Sequence, residues 1–205
     1  MCIRDRLYNV LPEHVAARIK SGETVADSFN NVSVIFVDVV GFSILAKTMP
    51  ASELVKQLNR FFLIADECAD AHGIEKVKTI GDAYLAVSGG TSSEAGDALA
   101  AIAFGHALIE RLEEITDADG ADVKLRVGIP TGPVVGGVVG SNRLAYDYWG
   151  DTMNIASRIE GTADHNGIAV SAATYHQTSH EVDYGPPEMM TLKGIGETEV
   201  YRVIR

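Results

Sequence analysis

The 205-residue chain is short of cysteine, of positive charge and of long apolar runs, and each shortage excludes a class of protein. Its two cysteines, Cys2 and Cys68, make no disulfide framework and no metal-ligand spacing, so a reducing compartment is expected. Lysine and arginine number 17 against 28 acidic residues, a formal net charge of −11. That balance argues against a sequence-independent nucleic-acid binder, which needs a basic face. It leaves a nucleotide substrate open, because one local cationic cluster and metal ions suffice for a triphosphate. No apolar run reaches the roughly 20 residues of a membrane span, and the start lacks a secretory h-region, so a soluble cytoplasmic chain is expected. Internal repeats and low-complexity tracts are lacking as well.

What remains is ordinary globular material, 46% hydrophobic and 22% charged, enough for one domain and an extension. Met1–Arg6 matches nothing that follows and reads as a sequence-assembly scar (residues 1–6). From Leu7, the stripe Leu7, Leu11, Val15 and Ile19, with Val10 beside it, has helical spacing, is interrupted early by Pro12, and ends at Ser21-Gly22. So short a helix cannot bury its own stripe and is expected to be the tail of a longer helix or coiled coil, the alternative being a helix packed on its own domain. Residues 7–29 are therefore taken as an extension and linker, and 30–205 as the domain.

Within the domain, Asn31 to Val37 reads as a buried strand. Pro50 opens a helix that Gly73 closes, with Leu54, Leu58, Phe61, Phe62, Ala65 and Ala69 at the helical period. Ile74–Lys78 and Tyr84–Ser88 flank Gly81-Asp82 as a hairpin. A long helix is expected over Ala95–Ile115, a loop over Asp117–Gly120, and a half-buried strand over Val123–Ile129. Val134–Val139 and Tyr146–Trp149 read as strands, and Asp151 as the cap of a helix reaching Glu160. Ile168–Val170, a brief helix over Ala172–Gln177, and strands at Met189–Leu192 and Val200–Ile204 complete the chain. Hairpins mixed with crossovers favour an α+β sandwich over a doubly wound parallel sheet.

Two apolar runs each deliver one aspartate, Val34-Ile35-Phe36-Val37-Asp38 and Lys78-Thr79-Ile80-Gly81-Asp82. A carboxylate buried there without a partner costs several kcal/mol, so two on neighbouring strands ask for a shared cation. Hard oxygen ligands beside a polyphosphate suit a pair of Mg²⁺ ions. After Asp38, the segment Val39-Val40-Gly41-Phe42-Ser43 can turn successive N–H groups toward a phosphate at a helix start. The alternative is a capping aspartate and a turn aspartate.

Asn154 and Arg158, four apart on one helix, share a face, where arginine can hold developing negative charge and asparagine can orient an oxygen. A merely solvated arginine is the alternative. Lys193, between a strand and the turn Gly194-Ile195-Gly196, suits a terminal phosphate or is a solvated turn lysine. Lys78 and Asp147 pair a donor with an acceptor, which matches the N1 and N6 edge of adenine. Guanine reverses that pattern. A structural salt bridge is the competing account.

Residues 34–43, 75–84 and 148–158, read as VIFVDVVGFS, EKVKTIGDAY and YWGDTMNIASR, resemble the class III nucleotidyl cyclase catalytic domain. The resemblance covers about residues 30–205 and implies a ferredoxin-like α+β sandwich built on a mainly antiparallel sheet. It also implies a homodimer with shared active sites, converting ATP to 3′,5′-cyclic AMP and pyrophosphate. One subunit would bind two Mg²⁺, replaceable by Mn²⁺, through Asp38 and Asp82 with Val39 beside them. Gly41 and Phe42 would contact the substrate. Lys78 and Asp147 of the other subunit would select adenine, where guanylate cyclases typically carry glutamate and cysteine. Asn154 and Arg158 would serve the transition state, and Lys193 the triphosphate, also from that second subunit. Pro130 stands where the family often has histidine or asparagine, with a small effect expected at the strand end and none at the metals. Leu7–Phe29 resembles the helical transducing segment of membrane-bound cyclases, which implies a regulatory or membrane region ahead of it.

Overall fold

A computed structural model describes residues 11, 13–91, 96–119, 123–140 and 144–204. The scar at residues 1–6, Leu7, Val10, Pro12, the expected helix start at Ala95 and the loop end at Gly120 lie outside the described residues. In chain order the elements are α1 (Glu13–Lys20), β1 (Ala26–Val39), α2 (Phe42–Thr48), α3 (Ala51–His72), β2 (Glu75–Ile80), β3 (Ala83–Ser88) and α4 (Ala98–Asp119). They continue with β4 (Leu125–Ile129), β5 (Thr131–Val138), β6 (Tyr146–Trp149), α5 (Asp151–Glu160), β7 (Gly167–Ser171), α6 (Ala172–Thr178), β8 (Glu188–Leu192) and β9 (Gly196–Arg202).

The main path through the sheet is β2-β3-β1-β4-β7-β9-β8, all antiparallel except β4 beside β7. The first four strands with their crossover helices form a split β-α-β-β-α-β unit, the ferredoxin-like arrangement. Side-chain alternation along β1 divides the molecule. Ile35, Val37 and Val39 face a core shared with Phe61 and Ile64 of α3 and Phe104 and Leu108 of α4. Val32 and Val34 face a second core with Leu85, Val87, Val134, Tyr146 and Tyr148, and Phe36 packs against it. Each fully buried aliphatic side chain contributes about 1.5–3 kcal/mol to this two-sided packing.

The second core also takes up the stripe of α1. Leu11, Val15 and Ala16 are buried in it beside Val25 and Val32, so the stripe packs on the chain's own domain. β1 is also longer than expected, because its first half, Ala26 to Ser33, pairs with β5 while its second half pairs with β4. Pro130 joins β4 to β5 opposite β1, and its carbonyl accepts the Val34 N–H at 2.9 Å. Proline has no N–H to return, so the ladder breaks there into two strands. Residues 117–119, expected in a loop, continue α4, and the short helix α2 follows β1. Asp151 is the first helical residue of α5 rather than its cap. Gly150 is the N-cap, with φ of 139° and no side-chain cap bond.

α5 lies on the second face, against β4. A Cβ on Gly128 would sit 2.4 Å from the Glu160 nitrogen and 2.5 Å from the Ala156 oxygen, both backbone atoms. Gly128→Ala must therefore push the helix away. Overpacking of this kind costs about 2–3 kcal/mol, which lowers Tm by roughly 4–12 °C for a domain of this size. Thermal unfolding followed by circular dichroism checks it, and an unchanged Tm would refute the close packing.

Candidate active site

Three groups of polar side chains lie on or near the second face. The first is built by strand alternation. Asp38 points to the opposite side from Val37 and Val39, and Arg126 to the opposite side from Leu125 and Val127. Their strands place them directly across from each other. Arg126 Nη2 donates to Asp38 Oδ2 at 3.0 Å, and Arg126 Nε donates to Glu160 Oε1 at 2.7 Å. The β1–β3 register, Val37 opposite Tyr84, carries Asp82 to the level of Val39.

The electrostatics of this group are those of crowded carboxylates. Burial, then the charge of Asp82, push the Asp38 carboxyl above its ordinary range, and Arg126 pulls it back. Burial also pushes Glu160 up to about 7; Arg126 opposes this, while Asp38 and Asp82 add to it. Glu160 is only 6% exposed, so desolvation wins there despite the short bond to Arg126. Two like charges at one strand end, one half-buried, fit a hard divalent ion that takes its remaining ligands from phosphate and water. Among the described residues no three histidine, cysteine or acidic groups cluster as a complete metal cage. Gly41 follows β1 at a φ of 76°, a left-handed turn that opens α2 at Phe42. The Val39–Phe42 segment is thus beside Asp38.

The second group joins β2 to β6. Lys78 Nζ and Asp147 Oδ2 form a close ion pair. A register shift between Lys76 and Lys78 aims the lysine. Lys76 reaches Asp66 at 2.7 Å, on the face of α3, whereas Val77 packs against the second core. The bulge lets Lys78 also turn toward β6 instead of returning to the α3 side.

The third group is on α5. Thr152, Ala156, Ile159 and Glu160 are buried while Asn154 and Arg158 are exposed, one turn apart. Arg158 lies about 200° around the helix from Glu160, the residue that reaches the Asp38 cluster through Arg126. Lys193 is exposed at the β8–β9 turn. Among the described residues, no hydrogen bond or ion pair connects these groups to one another.

The structure thus brings Asp38 near Asp82 and Lys78 to Asp147, and sets Asn154 beside Arg158 on one exposed face. Arg126 and Glu160 were missed by the sequence reading. The signal was present in part: alternation from Val123 to Ile129 puts Arg126 on the outward side, and antiparallel pairing with β1 would set it against Asp38.

The family profile described as "Adenylate and Guanylate cyclase catalytic domain" matches residues 24–205. An adenylate cyclase of Mycobacterium tuberculosis is 37% identical over 200 residues, which cover 97% of this chain and 45% of that protein. The chain therefore spans less than half the length of that relative. Among solved structures, the guanylate cyclase domain of RhGC from Catenaria anguillulae, in complex with GTP, is 32% identical with a TM-score of 0.81, covering 87% of this chain and 98% of that one. The adenylyl cyclase CyaB from P. aeruginosa is 25% identical with a TM-score of 0.82, covering 88% and 96%. With both the sequence profile and the fold in agreement, this chain belongs to the class III adenylate and guanylate cyclase catalytic domains.

Proposed function

We propose that the domain is an adenylate cyclase, forming 3′,5′-cyclic AMP and pyrophosphate from ATP at the interface of a homodimer. The observation that carries the choice of ATP is the Lys78–Asp147 pair. Their side chains are 43% and 26% exposed, and an ion pair that open to water contributes only about 0–1 kcal/mol to stability. Stability is thus a weak reason for the bulge that aims Lys78. As a reader of adenine, the lysine donates to N1 and the aspartate accepts from the N6 amino group. Guanine presents the opposite pattern and leaves both groups facing like partners.

Asp38 and Asp82, with Val39 beside them, hold two Mg²⁺ or Mn²⁺ ions. When bound, these supply acidification of the ribose 3′-OH and neutralisation of the departing pyrophosphate. Gly41 and Phe42 bring backbone N–H groups to the phosphates of the same half-site. From the other subunit, Arg158 stabilises negative charge at the α-phosphate, Asn154 orients the ribose, and Lys193 holds the triphosphate. No histidine is needed as a base. On this reading the chain is a cytoplasmic catalytic domain, and a regulatory or membrane region would precede it, since the chain spans only 45% of its adenylate cyclase relative. No described helix is long and apolar enough to cross a membrane.

The test is a specificity swap. The double substitution Lys78→Glu, Asp147→Cys installs the guanylate-type pair and is expected to move the ratio of kcat/KM for ATP over GTP by about 10–100-fold toward GTP. Cyclic products from each nucleotide, separated by chromatography, measure it. A wild-type preference for GTP, or a ratio the swap does not move, would overturn the assignment to ATP.

A further inference from the structure

β6 is four residues long, and its backbone pairs only with β5 among the described strands, while β2 pairs with β3. No ladder therefore fixes Lys78 on β2 against Asp147 on β6. Side chains do that work instead, and they gather around Tyr148. Its hydroxyl donates to Glu75 Oε1 at 2.8 Å and accepts the Thr91 N–H at 2.9 Å. Thr91 Oγ1 donates to Glu75 Oε2 at 2.9 Å and closes the ring of bonds. Glu75 lies on β2, three residues before Lys78 and on the near side of the bulge.

The clasp is built tightly. Tyr148 is 4% exposed, with Phe29 and Tyr146 rings at centroid distances of 5.9 and 5.4 Å. A Cβ on Gly90 would fall 2.2 Å from the Tyr148 hydroxyl and 2.9 Å from Glu75 Oε2, so the loop carrying Thr91 closes over the pair only with glycine there. Burial, followed by the charge of Glu75, pushes the Tyr148 phenol up, so it stays a donor. On the recognition side, the Tyr148 backbone N–H donates to Asp147 Oδ1 at 2.9 Å, leaving Oδ2 for Lys78. Tyr148 therefore holds Asp147 by its backbone and β2 by its hydroxyl.

We propose that Tyr148, anchored by Glu75 and Thr91, is a positioning residue for nucleotide choice, setting how Lys78 and Asp147 meet the base. The inference rests on the adenine reading of that pair. Discrimination by hydrogen bonds needs donors and acceptors held within about half an ångström, and a strand tethered on one edge does not hold them by itself.

Tyr148→Phe keeps the ring and removes both hydroxyl bonds. It raises KM for ATP by about three- to ten-fold with kcat held within about two-fold, the split expected when binding to the base is loosened. The ATP-over-GTP ratio of kcat/KM falls by a similar factor. Glu75→Ala does the same, and Glu75→Gln, whose amide oxygen still accepts from Tyr148, restores the ratio. Thr91→Val loses only the hydroxyl bond to Glu75 and gives a smaller change of the same sign, readable even if Tyr148→Phe folds poorly. Tyr84→Phe is the structural control. Tyr84 makes a comparable buried bond, to Asp66 on the other face, and its loss should lower Tm while leaving the ratio unmoved.

If Tyr148→Phe and Glu75→Ala leave the ratio unchanged while Lys78→Ala collapses it, the positioning role is overturned and the adenine reading stands. A ratio that Lys78→Ala itself does not move overturns the adenine reading, and this inference with it.

Discussion

Asp38→Ala and Asp82→Ala are each expected to lower cyclic nucleotide formation by more than about 10³-fold, the loss that follows when a two-metal site can no longer hold its ions. The reason lies in the crowding at the end of β1. Asp38 is pushed up by burial first and then by the charge of Asp82, while Arg126 and the Val39 N–H pull it back. On the proposed reading, two carboxylates at one strand end are what a pair of divalent ions would use. Removing either carboxylate leaves Arg126 still bonded to Glu160 at 2.7 Å, so the strand end keeps a partner and the fold survives. Tm should therefore hold or rise slightly while turnover collapses. Asp38→Asn separates charge from shape, because it preserves an acceptor for Arg126 and should remain as inactive as the alanine variant. Pyrophosphate release with Mg²⁺ and with Mn²⁺ measures all three. Full activity in Asp38→Ala or in Asp82→Ala would remove the metal assignment.

How much of this could be read before the structure depends on what each residue's partner is. Residues whose partners are local were legible. Gly73 ends α3 in a left-handed cap, the Gly81-Asp82 hairpin forms, and α5 stops at Gly161, all from patterns a few residues wide. The mixed, mainly antiparallel sandwich follows from the same local patterns. What was not legible depends on distant contacts. The α1 stripe looked too short to bury itself, yet Leu11 and Val15 are covered by β1, β3 and β5 residues far along the chain. Arg126 looked like the polar side of a half-buried strand, and only the pairing with β1 turns it onto Asp38. Glu160 looked like the last residue of a helix, and only in the fold, with α5 close against Gly128, is it buried and bonded to Arg126. The clasp at Tyr148 joins positions 75, 91 and 148, and no spacing within the sequence announces it. Candidate site residues were nameable because their types are chemically scarce in such places; the residues that aim them were not, because tyrosine and threonine are ordinary core and loop material.

Separation of the three polar groups leads to the second large effect. Arg158 is exposed on the side of α5 facing away from Glu160, and no bond among the described residues links it to the Asp38 cluster. If the site is shared across an isologous dimer, each site takes Asp38 and Asp82 from one chain and Asn154 and Arg158 from the other. Asp38→Ala and Arg158→Ala should each be inactive alone. Mixed in equal amounts and allowed to exchange, half the dimers contain one chain of each kind. In those dimers one site carries both defects and the other carries none, so about a quarter of the wild-type activity should return. Isolated heterodimers should show about half. A mixture of Asp38→Ala with Asp82→Ala must stay inactive, because both defects fall in the same half of a site and every pairing leaves it damaged. The contrast between the two mixtures distinguishes a shared site from simple stabilisation of one chain by another. Turnover against total protein, with heterodimer formation followed by differently tagged chains, provides the measurement. Heterodimers that form and remain inactive in the first mixture would place the whole site within one chain, and the exposed face of α5 would then need another explanation.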